Sequence, residues 1–213
     1  MTRDWVIARF ARSLEPSGRL LDGEEVETAA LRRAIREERA ALMPAGIDRR
    51  PAAVLVPLVD RPEGMTVLLT QRTDHLADHA GQISFPGGSI EAEDRDAAAA
   101  ALREAREEIG LPSRHVSVIG RLDTYFTGSS GFVITPIVGI VAPGFSLTLD
   151  SFEVAEVFEL PLAFVLDPQN HRRAERESAE GRRRFFVLPY ENRNIWGATA
   201  AILVNLYEVL ASS

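Results

Sequence analysis

The chain has 213 residues, is 46% hydrophobic and 26% charged, and carries a formal net charge of −7, which describes a soluble globular domain of ordinary size with an extension. The absence of cysteine excludes disulfides, thiol catalysis and cysteine-ligated metal, and the negative charge argues against general attraction to nucleic acid or a membrane surface. No apolar run approaches a membrane span, and the N-terminus MTRDWVIARFARSLEP is too polar for a secretory signal, so the expected compartment is the cytoplasm.

Residues 1–22 show no clear periodic element. Residues 23–42, GEEVETAALRRAIREERAAL, predict a helix, with Glu24 and Glu25 in its first turn and Leu31, Ile35 and Leu42 on one face. Residues 1–50 are therefore expected to form an N-terminal helical extension and residues 51–213 the main domain. Residues 52–60, AAVLVPLVD, read as a buried strand, with Pro57 predicting an edge position or a bulge. Arg61-Pro62-Glu63-Gly64 is a turn, and residues 65–71 complete a hairpin. The loop 72–84 is expected to line a substrate pocket. Its His75 and His79 lack a third ligand and are not expected to bind metal.

The stretch 81–111, GQISFPGGSIEAEDRDAAAAALREAREEIGL, carries the chemistry. Alanine and leucine predict a helix over residues 96–109, capped by Asp94 or Asp96 and stopped at Gly110. At roughly 100° per residue, Ala98, Leu102, Ala105 and Ile109 form its core face, and Glu104, Glu107 and Glu108 gather on nearly the opposite side. Like charges at these spacings cost roughly 0.2–0.5 kcal/mol per pair, and the helix C-terminus disfavours them further. Arg103 can pair with Glu107 at i+4, but one arginine does not balance three carboxylates. A divalent cation, Mg²⁺ or Mn²⁺, supplies the missing charge most simply. Such a cluster alone is more often a solvated acidic face. The preceding turn, Phe85-Pro86-Gly87-Gly88, shifts the balance, because glycine turns let backbone amides approach phosphate oxygens. A phosphate cradle leading into a metal-binding helix reads as pyrophosphate chemistry.

Residues 116–122 and 132–141 read as strands, with Pro136 again suggesting an edge or a bulge, and residues 125–131 as a loop near the substrate side. Pro161 starts a short helix. Residues 171–184 hold six arginines and read as a solvated hairpin tip, with a basic lip for a 3′-phosphate as the other reading. Residues 185–190 are a strand, and IWGATA at 195–200 opens a final helix to about residue 210, its Trp196 and Gly197 read as packing residues.

The segment 88–111 resembles the Nudix box, G-x5-E-x7-R-E-U-x-E-E-x-G-U with U aliphatic. REAREEIGL, residues 103–111, matches the second half, with Ala105 at the first U. Gly88 to Arg103 is one residue longer than the pattern, and the first glutamate position falls on Asp94. The lengthened spacing is similar to that of the coenzyme A pyrophosphatase branch, which also carries an upstream motif LLTxR[SA]x3Rx3Gx3FPGG. This chain has LLTQRT at 68–73, Gly81 and Phe85 to Gly88 in register, with Thr73 in place of Ser or Ala and Ala77 in place of the second arginine. The two motifs cover residues 68–111, and weaker resemblance extends over about 52–210.

The resemblance implies an α/β fold, a Nudix-type α/β/α sandwich with a mixed β-sheet. It implies hydrolysis of a pyrophosphate linkage in a nucleoside diphosphate derivative. The favoured substrate is coenzyme A or acyl-CoA, cut to 3′,5′-ADP and (acyl-)phosphopantetheine, with ADP-ribose, dinucleotides or nucleoside triphosphates as the alternative. A non-catalytic nucleotide-binding regulatory module is the alternative of another class, and the intact REAREE argues against it. Glu104, Glu107, Glu108 and the backbone at Gly88 would hold Mg²⁺ or Mn²⁺, with Arg103 orienting the carboxylates. Glu153 and Glu156 would face the metal from a second wall or simply solvate a turn. Arg72, Gly81, Phe85, Pro86, Gly87 and Gly88 would meet the substrate. The proton acceptor stays open among Glu107, Glu108, Glu153 and Glu156. The expected partner is a small nucleotide derivative, with no nucleic acid and no membrane, and a homodimer is compatible with the sequence.

Overall fold

A computed structural model describes residues 1–14, 49–75, 80–127, 131–178 and 181–211. The predicted helix at 23–42, and positions Ala77 and His79, lie outside the described residues.

The most apolar runs of the sequence meet at the centre of a sheet. Strand β1 (Arg50–Val59) pairs in parallel with β7 (Phe132–Val141), from Arg50↔Phe132 to Val59↔Val141. Both run nearly continuously apolar because both faces of the sheet are covered. Strand β2 (Thr66–Arg72) folds back on β1 through Leu58↔Val67 and pairs across its other edge with β8 (Val154–Pro161). Strands β5 (Val116–Arg121) and β6 (Tyr125–Phe126) flank β7, and the short β3 (Ile83–Ser84) and β4 (Gly87–Ser89) pair with β2 and β1. All pairings except β1 with β7 are antiparallel, so the eight-stranded sheet is mixed.

Helix α2 (Ala97–Ile109) covers one face, packing Ala101, Ala105 and Ile109 on Ala53, Leu55 and Leu68. Helices α1 (Arg3–Leu14) and α4 (Gly197–Ala211) cover the other, where Val6, Phe10, Leu203 and Leu206 join Val56 and Leu69. The short α3 (Leu162–Val165) follows β8. A second, three-stranded sheet contains β9 (Arg172–Ser178), β10 (Gly181–Tyr190) and β11 (Arg193–Trp196). The architecture is the expected α/β/α sandwich with a mixed sheet.

Several local expectations are corrected. Helix α1 forms within residues 1–22, where the sequence shows no clear period. Among its described side chains Val6 and Phe10 are the fully buried ones, one turn apart, and docking against α4 decides the helix. Pro57 and Pro136 are neither at a sheet edge nor in a bulge; both sit in the two central strands. The reason is a change of partner alongside each. The Leu55 amide donates to Pro86 O, so the position two residues on, Pro57, aims its missing N–H to that same side, after β4 has ended and before β2 begins at Leu58. Pro136 accepts from the Leu122 amide between the end of β5 and the start of β6. Ile195 and Trp196 belong to β11 and not to the final helix, and Trp196 is exposed beside Phe185 rather than buried as a packing residue. Tyr125 and Phe126, expected in a loop, pair with β7 as β6.

Candidate functional site

Helix α2 starts where Asp96 accepts from the Ala99 amide at 2.8 Å and ends at Gly110, whose φ of 67° is the left-handed turn that glycine takes without strain. These caps fix the last two turns, which carry the glutamates. The buried stripe is Ala100, Ala101, Ala105, Glu108 and Ile109. It is rotated from the expected stripe, so Ala98 and Leu102 are only partly buried. The three glutamates therefore do not share one solvent side: Glu107 is exposed, Glu104 half-buried, and Glu108 only 6% exposed.

Room for Glu108 and Glu104 comes from the turn in front of the helix. The Gly87 amide donates to Glu108 Oε2 at 3.2 Å. A Cβ on Gly87 would lie 2.6 Å from Val54 Cα, and one on Gly88 would lie 2.5 Å from Glu104 Oε1. Phe85, 4% exposed, belongs to the main core, and the buried Pro86 gives its carbonyl to the Leu55 amide. Phe85 and Pro86, expected at the substrate, anchor the turn through these contacts. Gly81 has a φ of 66°, and a Cβ there would meet Asp74 Oδ1 at 2.7 Å.

Arg103 is the hub of the exposed side. Its Nε and Nη2 grip the Asp94 carboxylate at 3.1 and 3.0 Å, and its Nη1 donates to Glu104 and Glu107 at 3.0 Å each. The pairing with Glu107 is the expected one. The fork ties Asp94, at the first acidic position of the motif, to Arg103 across the lengthened spacing. The Arg103 bond, then the Glu91 amide, hold the Asp94 carboxyl below the ordinary carboxylate range.

The opposite wall comes from β2 and the loop before β8. A register shift between Gln71 and Arg72 re-aims Arg72 at the site. Its Nη1 lies 3.9 Å from Glu108 Oε1 and 3.8 Å from Glu153 Oε2, while its buried Nε has no hydrogen-bond partner. Glu153 thus joins the cluster. Glu156 does not: its carboxylate pairs with Arg193 Nη2, whose guanidinium stacks 4.4 Å over the Phe158 ring. Strand alternation is the reason. Glu156 shares the face of Phe158, which packs with the α1 and α4 core, while Val157 packs toward α2. Neither Arg193 nor the Asp94 fork was singled out in the sequence, because both depend on pairings between distant segments. His75 packs edge-on against Phe152, with ring centroids 4.9 Å apart.

Burial, reinforced by the charges of Glu104 and Glu153, pushes Glu108 up to about 8, against the lowering effect of the Gly87 amide and Arg72. Burial also raises Glu104, in spite of Arg103. Among the described residues, no three histidine or carboxylate side chains are gathered as a closed metal site. Glu107 is turned to Arg103, and Glu108 to the Gly87 amide. The donors nonetheless fit a hard divalent cation. They are all oxygen, their mutual repulsion adds to the rise that burial gives Glu108 and Glu104, and among the described residues Arg72 faces them from the far wall.

The raised Glu108 has a measurable consequence. The folded protein holds this proton between the ordinary value of 4.5 and about 8, where the unfolded chain has lost it. Stability of the metal-free protein is therefore expected to fall as pH rises through that window, with Glu104 acting in the same direction. Asp94 and Asp96, held low, act oppositely but only in more acid solution. Thermal melts in chelator should show Tm dropping across the window in the wild type and a flatter slope in Glu108→Gln. A wild-type Tm that climbs across it would refute this account of Glu108.

The NUDIX domain family model matches residues 49–177, which includes both walls of the site. The protein called uncharacterized Nudix hydrolase NudL in Yersinia pestis (strain Pestoides F) is 42% identical over 157 residues, covering 74% of this chain and 78% of its own. NudL of Yersinia pseudotuberculosis serotype O:1b (strain IP 31758) gives the same figures of 42% over 157 residues, 74% and 78%. Among solved structures, a C. elegans Ap4A hydrolase binary complex aligns with a TM-score of 0.46 and 19% identity, over 54% of this chain and 81% of that one. Among the described residues, no helix is long and apolar enough to cross a membrane. A domain match across more than half of the chain, with relatives this close over nearly three quarters of it, places the protein in the Nudix family, whose hydrolases cleave pyrophosphate linkages in small nucleotide derivatives with the help of a divalent cation.

Proposed function

We propose that the enzyme cleaves coenzyme A or its acyl derivatives at the diphosphate, giving 3′,5′-ADP and (acyl-)phosphopantetheine, with Mg²⁺ or Mn²⁺ as the cation. The observation that supports this reading is where the upstream motif falls. Arg72 ends β2 within 4 Å of both Glu108 and Glu153, and the Phe85 to Gly88 turn of the same motif lies against Glu104 and Glu108.

Glu104, Glu107, Glu108 and the Gly88 backbone would hold the cation, which when bound supplies positive charge for the diphosphate and lowers the pKa of a bound water. Arg103, itself gripped by Asp94, sets the orientation of Glu104 and Glu107. The Gly87 amide fixes Glu108 Oε2. The Arg72 guanidinium, partly exposed with Nη1 within 4 Å of both Glu108 and Glu153, is placed to bind a diphosphate oxygen. Glu108 and Glu153 meet across Arg72, and one of these carboxylates receives the proton of the attacking water. Glu156, tied to Arg193 on the other face of the sheet, takes no part.

The test is product identification by mass after incubation with coenzyme A, acetyl-CoA, ADP-ribose, NADH and nucleoside triphosphates, with Mg²⁺ or Mn²⁺. Coenzyme A or its acyl form is expected to show the highest kcat/KM. A wide preference for ADP-ribose, a dinucleotide or a triphosphate would move the specificity to that substrate and leave pyrophosphate hydrolysis in place. Because Arg72 stands at the carboxylates, Arg72→Ala is expected to raise KM about tenfold for coenzyme A and ADP-ribose alike, the size of one lost charge-assisted bond. Wild-type KM for both would make Arg72 only the neighbour of Glu108.

A further inference from the structure

One exposed side chain at the rim of this site has no task in the scheme above. Phe152 is 65% exposed, more than any other large hydrophobic side chain among the described residues. Isolated exposed apolar residues are ordinary. This one differs in its place and in how firmly it is held. Its amide donates to Asp150 Oδ1 at 2.9 Å, and its carbonyl accepts from Thr73 Oγ1 at 2.8 Å. The Asp150 amide donates in turn to Glu108 O at 2.8 Å, and the Thr73 amide to Glu153 O at 3.0 Å. Phe152 is thus the chain neighbour of Glu153 and is tied to Thr73, the chain neighbour of Arg72, and Arg72 Nη1 lies within 4 Å of both Glu153 and the buried Glu108. His75 packs against it at an interplanar angle of 61°, which steadies the ring while most of its surface stays open.

We propose that Phe152, positioned by His75, is the platform on which the nucleobase of the diphosphate substrate stacks. The proposal rests on the reading that the substrate is a nucleotide derivative. A flat uncharged ring beside a diphosphate site matches the π-face of a base. Phosphoryl groups are poor occupants there, because Asp150 and Glu153 flank the ring with negative charge. A flexible chain such as a pantetheine arm gains less than a base from one flat surface, because it gives up rotational freedom to lie on it.

The test uses the full chain with Mg²⁺, as wild type, Phe152→Leu and Phe152→Trp. The first readout is binding without turnover, by quenching of 1,N6-etheno-ADP fluorescence. The second is steady-state kinetics on coenzyme A, on ADP-ribose and on P1,P2-bis(ribos-5-yl) diphosphate, which keeps the diphosphate and lacks the base. Quenching is expected with the wild type and Phe152→Trp and not with Phe152→Leu. In Phe152→Leu, KM for the base-bearing substrates should rise about tenfold with kcat little changed, and KM for the base-free compound should not move. Undiminished quenching by Phe152→Leu, or an equal KM rise on the base-free compound, overturns the platform. The two readings fail separately. Quenching that needs an aromatic at 152, without turnover of any of the three diphosphates, removes the substrate reading and keeps the platform. Turnover with KM indifferent to residue 152 does the reverse.

Discussion

Glu108→Gln is expected to lower kcat by about 10³-fold and, in the metal-free protein, to raise the melting temperature. The two effects have one cause. Glu108 is buried, its carboxyl is pushed up to about 8, and Glu104 and Glu153 repel it. An enzyme that only needed a stable helix would gain from an uncharged residue of the same shape. Glutamine keeps the volume and can still accept from the Gly87 amide, so the turn and the helix should stay in place. What it loses is the negative charge, for cation and proton alike. Glu107→Gln should also lower kcat steeply, but without the gain in stability, because Glu107 is exposed and paired to Arg103. The measurements are kcat against Mg²⁺ concentration and Tm in chelator. Wild-type rates in both variants, or full turnover in chelator, would remove these glutamates from the reaction.

Two adjacent glycines should separate folding from function. In Gly87→Ala the new Cβ would run into the backbone of β1 at Ala53 and Val54, on a residue with φ of 157°. Central-strand backbone cannot move aside, so a loss of about 2–4 kcal/mol is expected, which urea unfolding would measure. In Gly88→Ala the three heavy atoms nearest the Cβ all belong to the Glu104 carboxylate, the far end of a side chain that can swing away. Stability should hold while kcat/KM drops by about 10²-fold, because Glu104 is moved off its position. If Gly88→Ala unfolds the protein, or Gly87→Ala leaves it as stable as the wild type, the turn is built differently from this description.

The motif helix was legible in the sequence because its signals are local. An alanine run, an aspartate cap and a terminal glycine act within a few residues of one another, and the Arg103 to Glu107 pair is one helical turn. The burial of Glu108 was not legible, because the stripe that faces the sheet is set by where Gly87 leaves room. The same holds for the second wall. Glu153 and Glu156 are equivalent as acidic residues in a row. The sheet face that Glu156 shares with Phe158, and the arrival of Arg193 from β11, separate them. Proline in a strand reads as an edge signal only while each side of the strand has one partner. Here β4 gives way to β2 beside Pro57, and β5 to β6 beside Pro136.

The parallel pairing of β1 with β7 also bears on the order in which the molecule can assemble. Every residue from β2 through the motif helix to β6 lies between these two strands along the chain. Joining them closes a loop that contains the glycine turn, the three glutamates of the motif helix and Arg72. The entropy of that closure must be met before the central contacts can repay it, which slows folding and puts the step late. On the ribosome, the hairpin and the helix can form first, but β1 keeps one edge bare until residue 141 has emerged. The closing event therefore precedes the reaction centre, which Glu153 completes after β7, and a nascent chain stopped short of β7 would display an apolar strand edge in place of a catalyst.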